Sequence, residues 1–184
     1  MAVPLSSADL DIARIRTAIF HETNLVRREL GLKPFQSLPR LDEAAELQAS
    51  SNALDQAASH SNVVRAWATP YERVKALGLK PSLVSENAAL LPLINIDPAN
   101  GYIERKTSDG TMIIDRETGA VALPHTYASF ARAIVRAWMN SPGHRANIVH
   151  REFRYMGCSA RPTRAVAGLE LITGIQVFYA PLDS

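Results

Sequence analysis

The stretch Trp138-Met139-Asn140-Ser141-Pro142-Gly143-His144-Arg145-Ala146-Asn147-Ile148 joins the end of one predicted helix to the start of another. Ser141 followed by Pro142 is typical of a helix start, because serine caps free backbone N–H groups and proline fits the first helical position. Upstream, apolar residues recur at helical spacing, at Tyr127, Ala131, Ile134 and Trp138. Trp138 is therefore interpreted as a core residue rather than a platform for ligand stacking.

Three further helices are predicted in the N-terminal part of the chain. The first has Ser7 as its expected N-cap, an apolar stripe over residues 12–30 and a stop at Gly31. The second covers residues 41–58, and its small side chains indicate close packing against another element. The third covers residues 70–77 and stops at Gly78. The expected buried face of the second helix consists of Ala44, Leu47, Ser51, Leu54 and Ala58.

Strands are predicted both before and after the helix that contains Trp138. Residues 155–160 and 169–179 are rich in β-branched and aromatic side chains, which favours two antiparallel strands. Before the helix, the Asp109-Gly110 pair is typical of a two-residue hairpin turn, and Gly119 marks a second turn. The apolar run 112–114 should pack on the domain or on a partner chain, since its exposure would be costly. Helices first and strands last predict an α+β layered domain.

The composition excludes several classes of protein. A chain of 184 residues with 47% hydrophobic and 21% charged residues is typical of one soluble domain. No apolar run reaches the roughly 20 residues of a membrane span. A formal charge of +2, with arginines scattered at helical spacing, does not indicate a nucleic-acid partner. Cys158 is the only cysteine, so no disulfide forms within the chain, and a buried, inert thiol is expected.

Several segments occur in an order that resembles one known protein family. They are residues 24–35, 60–62, 71–78, 85–88, 138–148 and 176–178. The chain resembles the bacterial branch of the CAP superfamily, which includes cysteine-rich secretory proteins, antigen five and plant pathogenesis-related proteins. The resemblance implies a three-layer α-β-α sandwich and a single domain over residues 1–184. In the family, the connection from the segment matching residues 85–88 to the segment matching residues 138–148 is usually shorter than it is here. Residues 97–123 are therefore expected to form an insertion that contains a hairpin and lies beside the family's cleft.

The resemblance also implies a cleft, which in many family members holds a divalent cation between two histidines and two glutamates. His60 and Glu86 match one residue of each kind, so their side chains are expected to meet. The other two positions are Ser141 and Thr173, which provide no imidazole or carboxylate for zinc. No cofactor is therefore expected, and a charge-assisted hydrogen bond between His60 and Glu86 is favoured over weak zinc binding.

Three more residues are candidates for lining this cleft. His144 is the residue that would replace the missing histidine, although a structural role at the helix start is favoured. Glu72 and Arg73 are explained by an exposed ion pair or by charges on a helix surface, and a site role for the two residues is the alternative. Gln176 is polar in an apolar strand, so it should hydrogen-bond inward or line the cleft.

The resemblance implies a secreted-type domain that binds a ligand, with a lipid or another surface molecule as the expected class. The cleft around His60 and Glu86, or a hydrophobic groove, is the expected binding site. The alternative is a metal- or histidine-dependent hydrolase in which His60 and Glu86 form a catalytic pair. The absence of hydrolase motifs favours the non-enzymatic interpretation. Residues 1–7 lack a signal-peptide pattern, so an extracellular or periplasmic location requires a removed leader, and a cytoplasmic one stays open.

Overall fold

The structure is a computed structural model that describes residues 3–96, 101–108, 110–163 and 169–182. Within these residues the helices are α1 (Ile12–Glu29), α2 (Pro39–Asp55), α3 (Pro70–Ala76), α4 (Tyr127–Asn140) and α5 (Pro142–Val149). The strands are β1 (Gln36–Ser37), β2 (Pro81–Pro92), β3 (Tyr102–Thr107), β4 (Gly110–Asp115), β5 (Tyr155–Pro162) and β6 (Leu171–Pro181). None of the described helices is both long and apolar enough to span a membrane.

A four-stranded sheet in the order β1-β5-β6-β2 occupies the centre of the fold. Strand β6 pairs antiparallel with both β5 and β2, whereas β1 pairs parallel with β5. Successive side chains of a strand point to opposite faces. Accordingly, Ile172 and Phe178 of β6 belong to one apolar cluster, and Ile175 and Val177 belong to another. The sheet therefore carries a separate core on each face.

Helices cover both faces of this sheet. The first cluster contains Ile15 and Ile19 of α1 together with Ile134 and Trp138 of α4. The second contains α2 residues and Val74 of α3. Two helical layers around one sheet confirm the predicted α+β, three-layer sandwich, and Trp138 is fully buried as expected for a core residue.

Two glycines allow the helices to approach the sheet closely. A Cβ atom on Gly157 of β5 would overlap the backbone of α2 at Leu41 and Asp42. A Cβ atom on Gly174 of β6 would overlap the end of the Ile134 side chain in α4. The close packing expected from the alanine-rich second helix is thus achieved at a position where the strand has no side chain.

The predicted details of the first two helices are partly wrong. Helix α1 is capped by Asp11, whose carboxylate accepts from the Arg14 amide, while the Ser7 hydroxyl donates to Glu170. Ser7 is therefore too far upstream to cap the helix. In α2, Leu54 is 76% exposed, whereas the amide side chains of Gln48 and Asn52 are buried. The helix turns these amides inward because they bind the loop that follows it.

Strands β3 and β4 form a two-stranded sheet separate from the central one. Ile103 pairs with Ile114, which also bridges to Val121 after a turn at Gly119. Ile114 is only 7% exposed, whereas Met112 and Ile113 are half-buried. Residues 97–100 and Asp109 of the predicted insertion lie outside the described residues. The extent of the domain and the assignment of 97–123 as an insertion stay predictions.

Candidate functional site

Glu86 lies in β2, at one edge of the central sheet, and its side chain is only 1% exposed. It pairs across the strands with Val177, a member of the second apolar cluster. Cross-strand partners share a face of the sheet, so Glu86 points toward the layer of α2 and α3. A carboxylate buried in this way is costly unless a charged or hydrogen-bonding partner compensates for the lost water.

Arg73 of α3 supplies that compensation. Its guanidinium is 0% exposed and donates through Nη2 to Glu86 Oε2. A second nitrogen, Nη1, donates to the Trp67 carbonyl at 2.9 Å. The favoured interpretation of Arg73 as an exposed residue is therefore wrong: it forms an ion pair, but a buried one, because α3 turns this residue toward the edge strand. The buried ion pair fixes the orientation of the Glu86 carboxylate.

His60 binds the other oxygen of this carboxylate. Its Nδ1 atom lies 3.0 Å from Glu86 Oε1, and because a carboxylate only accepts, Nδ1 carries the proton. The His60 side chain is 49% exposed. Within the described residues no hydrogen bond engages its other ring nitrogen, Nε2. The result is an imidazole fixed on one edge by a buried carboxylate and open on the other.

The loop that carries His60 is held by side-chain amides rather than by regular structure. Gln48 Nε2 donates to the carbonyl oxygens of Ser59 and Ser61 at 2.9 and 3.1 Å. Asn52 Nδ2 donates to the Ser59 oxygen at 3.0 Å. These contacts explain why α2 buries two amides, and they fix the loop backbone on both sides of His60.

His144 lies next to His60, with 6.4 Å between the ring centroids. Burial, and then the neighbouring His60, lower the pKa of His144, so its neutral form is favoured. The backbone oxygen of His144 accepts from Asn87 Nδ2 at 3.1 Å. Asn147 donates in turn to Asn87 Oδ1 at 2.8 Å. The start of α5 is thus tied to β2 beside Glu86, and the structure brings His60, Glu86 and His144 together.

The two remaining candidates have other partners. The Glu72 carboxylate accepts from the backbone and hydroxyl of Thr69 at 2.9 and 3.0 Å and so caps α3. Gln176 is fully buried; it donates to the Thr23 hydroxyl at 2.7 Å and accepts from Asn87 at 3.1 Å. Inward hydrogen bonding is one of the two roles expected for Gln176. The other expected role, lining the cleft, is wrong because the side chain is fully buried.

The donor groups of this site are poorly suited to a metal ion. Ser141 provides no carboxylate and Thr173 is buried without an imidazole. Glu86 already binds a buried guanidinium, whose positive charge opposes a second cation on the same carboxylate. In the described parts of the chain, no group of three or more His, Cys, Asp or Glu side chains is arranged to hold a metal.

A separate groove of about 680 Å³ lies between α1 and α4 rather than at His60. Its lining is mainly apolar and includes Ala18, Leu25, Tyr127 and Ala131. Sequence reasoning did not locate this groove. Small residues recur along both helices, at Ala13, Thr17 and Ala18 in α1 and at Ala128 and Ala131 in α4, but only the packing of α1 against α4 brings them to one groove.

Two solved structures with a similar fold are those of a bacterial outer surface protein and a bacterial extracellular protein. An outer surface protein from Borrelia burgdorferi aligns over 99% of this chain and 100% of its own, with a TM-score of 0.59 and 14% identity. An extracellular protein containing an SCP domain from Bacillus anthracis aligns over 97% of this chain and 45% of its own, with a TM-score of 0.60 and 16% identity. Identities at this level show the shared fold alone.

A cysteine-rich secretory protein from Staphylococcus aureus also aligns, over 92% of this chain and 39% of its own, with a TM-score of 0.50 and 15% identity. This chain thus spans less than half of the Bacillus and Staphylococcus proteins. No curated protein matches it. The sequence profile of the cysteine-rich secretory protein family, CAP, matches residues 62–173, which is more than half of the chain and begins just after His60. The chain therefore belongs to the CAP family.

Proposed function

We propose that this CAP domain is a ligand-binding module whose recognition point is the cleft formed by His60, Glu86 and His144. The observation that carries the proposal is the half-exposed His60 ring held on the fully buried Glu86–Arg73 pair. Such an arrangement costs little conformational entropy on binding, because the imidazole is already oriented.

The chemistry of the cleft favours a ligand with a hydrogen-bonding head. His60 offers a free Nε2 edge, and His144 stands beside it as a second imidazole. A lipid head group or another cell-surface molecule has the acceptors and donors that two such rings engage. An extracellular location is part of the proposal and is supported by the outer surface and extracellular proteins that share the fold.

Mass spectrometry of lipids extracted from the purified protein tests this function. We expect a lipid that is retained by the wild type and lost from His60→Ala, which keeps the Arg73–Glu86 pair intact. The matched control is His150→Gln, since His150 lies outside the cleft and packs against Phe153. Equal lipid retention in wild type and His60→Ala, or no retained molecule with any of the three proteins, would contradict the proposal.

A second candidate function is histidine-dependent hydrolysis. The specific observation in its favour is the 3.0 Å contact between Glu86 and His60, since a carboxylate that orients an imidazole makes it a better general base. Hydrolysis of p-nitrophenyl esters distinguishes the two functions. A turnover that falls at least about a hundredfold in His60→Ala supports the enzyme. A rate equal to that of free imidazole leaves ligand binding as the function.

A further inference from the structure

A polar recess of about 380 Å³ lies on the opposite side of α4 from the central sheet. We call it the arginine recess, and it is lined by Glu22, Asn95, Ser129, Arg132, Ala133 and Arg136. Arg132 and Arg136 are one turn apart on α4, so both guanidiniums are on the same exposed face of the helix. The recess is distinct from the cleft at His60.

The two arginines have no anionic partner in the described part of the chain. No carboxylate of a described residue lies within 4.0 Å of either guanidinium, although Glu22 borders the same recess. The amide side chain of Asn95 is likewise exposed and makes no hydrogen bond with a described residue. Their donors are therefore available to a ligand, which is unlike Arg16 and Arg161, both paired with Glu46.

We propose that the arginine recess binds a phosphate group. A guanidinium binds two oxygens of an anion through parallel hydrogen bonds, so one arginine is enough for a carboxylate. Two guanidiniums one helical turn apart, with an exposed amide at the same recess, provide more donors than a carboxylate accepts, and a tetrahedral phosphate has additional oxygens to receive them. Among the described residues that line the recess, Glu22 is the one acidic group, and it reduces their net positive charge without removing it.

The phosphate group belongs either to a free phosphate ion or to the head group of a phospholipid. The residues that line the recess do not distinguish these two ligands. The surroundings supply a way to distinguish them, because Arg132 and Glu22 also line the apolar groove between α1 and α4. A ligand with an apolar tail attached to its phosphate gains contact with that groove, and a free ion does not. The two sources therefore differ in affinity.

Titration with inorganic phosphate at constant ionic strength, followed by NMR of the arginine Nε–H signals, tests the proposal. We expect saturable shifts at Arg132 and Arg136. The double variant Arg132→Ala/Arg136→Ala should weaken binding about tenfold or more, because it removes charge-assisted hydrogen bonds. Both positions are exposed on a helix and alanine favours helix, so the variant keeps its fold. Glu22→Gln should bind phosphate more tightly than the wild type.

Two controls separate recognition from net charge. Arg28→Ala/Arg65→Ala removes the same charge from exposed arginines outside the recess, and its affinity should stay unchanged. Arg132→Lys/Arg136→Lys keeps the charge and loses the paired hydrogen bonds, so its affinity should fall. Shifts that do not saturate, or an equal loss of affinity in both double alanine variants, overturn the proposal.

A second titration with monomeric dihexanoyl phosphatidic acid identifies the source. Affinity at least about tenfold above that of inorganic phosphate supports a phospholipid head group, because the acyl chains then contribute apolar burial. Equal affinity supports the free ion. In either case binding should remain in His60→Ala, so failure at the arginine recess and failure of the His60 cleft are independent outcomes.

Discussion

Glu86 depends on Arg73 for its place in the interior, and His60 depends on Glu86 for its orientation. The buried guanidinium of Arg73 fixes the carboxylate, and the carboxylate fixes the half-exposed imidazole of His60. Arg73 is the residue that sequence reasoning placed on a surface, because a charged residue on a short helix is exposed in most proteins. No feature of the surrounding sequence distinguishes Arg73 from an exposed arginine, since only the approach of α3 to β2 brings it to Glu86.

Breaking the buried pair should destabilise the whole domain. We expect Arg73→Met to lower the free energy of unfolding by about 3 kcal/mol or more, because it leaves the Glu86 carboxylate buried without its cation. Urea denaturation measures the change, and Arg65→Met, at an exposed arginine, is the matched control. The double variant Arg73→Met/Glu86→Gln should recover part of the loss. An Arg73→Met protein as stable as the control would show that the pair contributes nothing.

His125 predicts a specific pH dependence of stability. Burial lowers its pKa to about 4, from 6.5 in an exposed histidine. Between these pH values the unfolded chain binds more protons than the folded one, so stability is retained above pH 6.5 and lost as the pH falls toward 4. His125→Gln should reduce this acid-induced loss by up to about 3 kcal/mol. Urea denaturation at pH 7 and pH 4.5 measures it, and an unchanged loss would contradict the assignment.

At the scale of elements, contact between α2 and β5 requires Gly157. We expect Gly157→Ala to lower the free energy of unfolding by about 3 kcal/mol, since the new methyl group would meet the rigid backbone of α2 rather than a movable side chain. Gly143→Ala in α5 is the control, because its Cβ meets no atom within 4 Å, and alanine there should stabilise by about 0.5 kcal/mol. Thermal denaturation of both variants gives the comparison, and equal melting temperatures would exclude the close approach.

Elements with a clear period could be predicted, and those defined by distant partners could not. The stripe of α4 identified Trp138 correctly, because one face of a helix repeats every three to four residues. The alternating strands β5 and β6 were also predicted. In α2 the same spacing rule wrongly predicted that Leu54 is buried and did not identify Gln48 as buried. A buried amide can be recognised only from the loop carbonyl groups that it binds. The His60–Glu86 contact was expected from family resemblance and not from any local pattern.

At the scale of the whole molecule, the hairpin of β3 and β4 is the part least integrated with the sandwich. Its two strands pair with each other and not with the four-stranded sheet. The two cores that flank the central sheet contain none of the hairpin residues whose burial the structure describes. The sandwich should therefore fold without the hairpin, and the contribution of the hairpin should be confined to its own contacts, chiefly the burial of Ile114.

Deletion of residues 101–119, with the ends joined by a short glycine linker, tests that conclusion. We expect the melting temperature to fall by roughly 3–12 °C, because the burial of one large apolar side chain contributes about 1.5–3 kcal/mol and a domain of this size loses about 2–4 °C for each kcal/mol. Calorimetry should still show one cooperative transition, since both cores remain complete. Light scattering reports whether the hairpin also joins two chains. An unchanged melting temperature and oligomeric state would show that the hairpin is dispensable, and loss of cooperative unfolding would show that it is an integral part of the core.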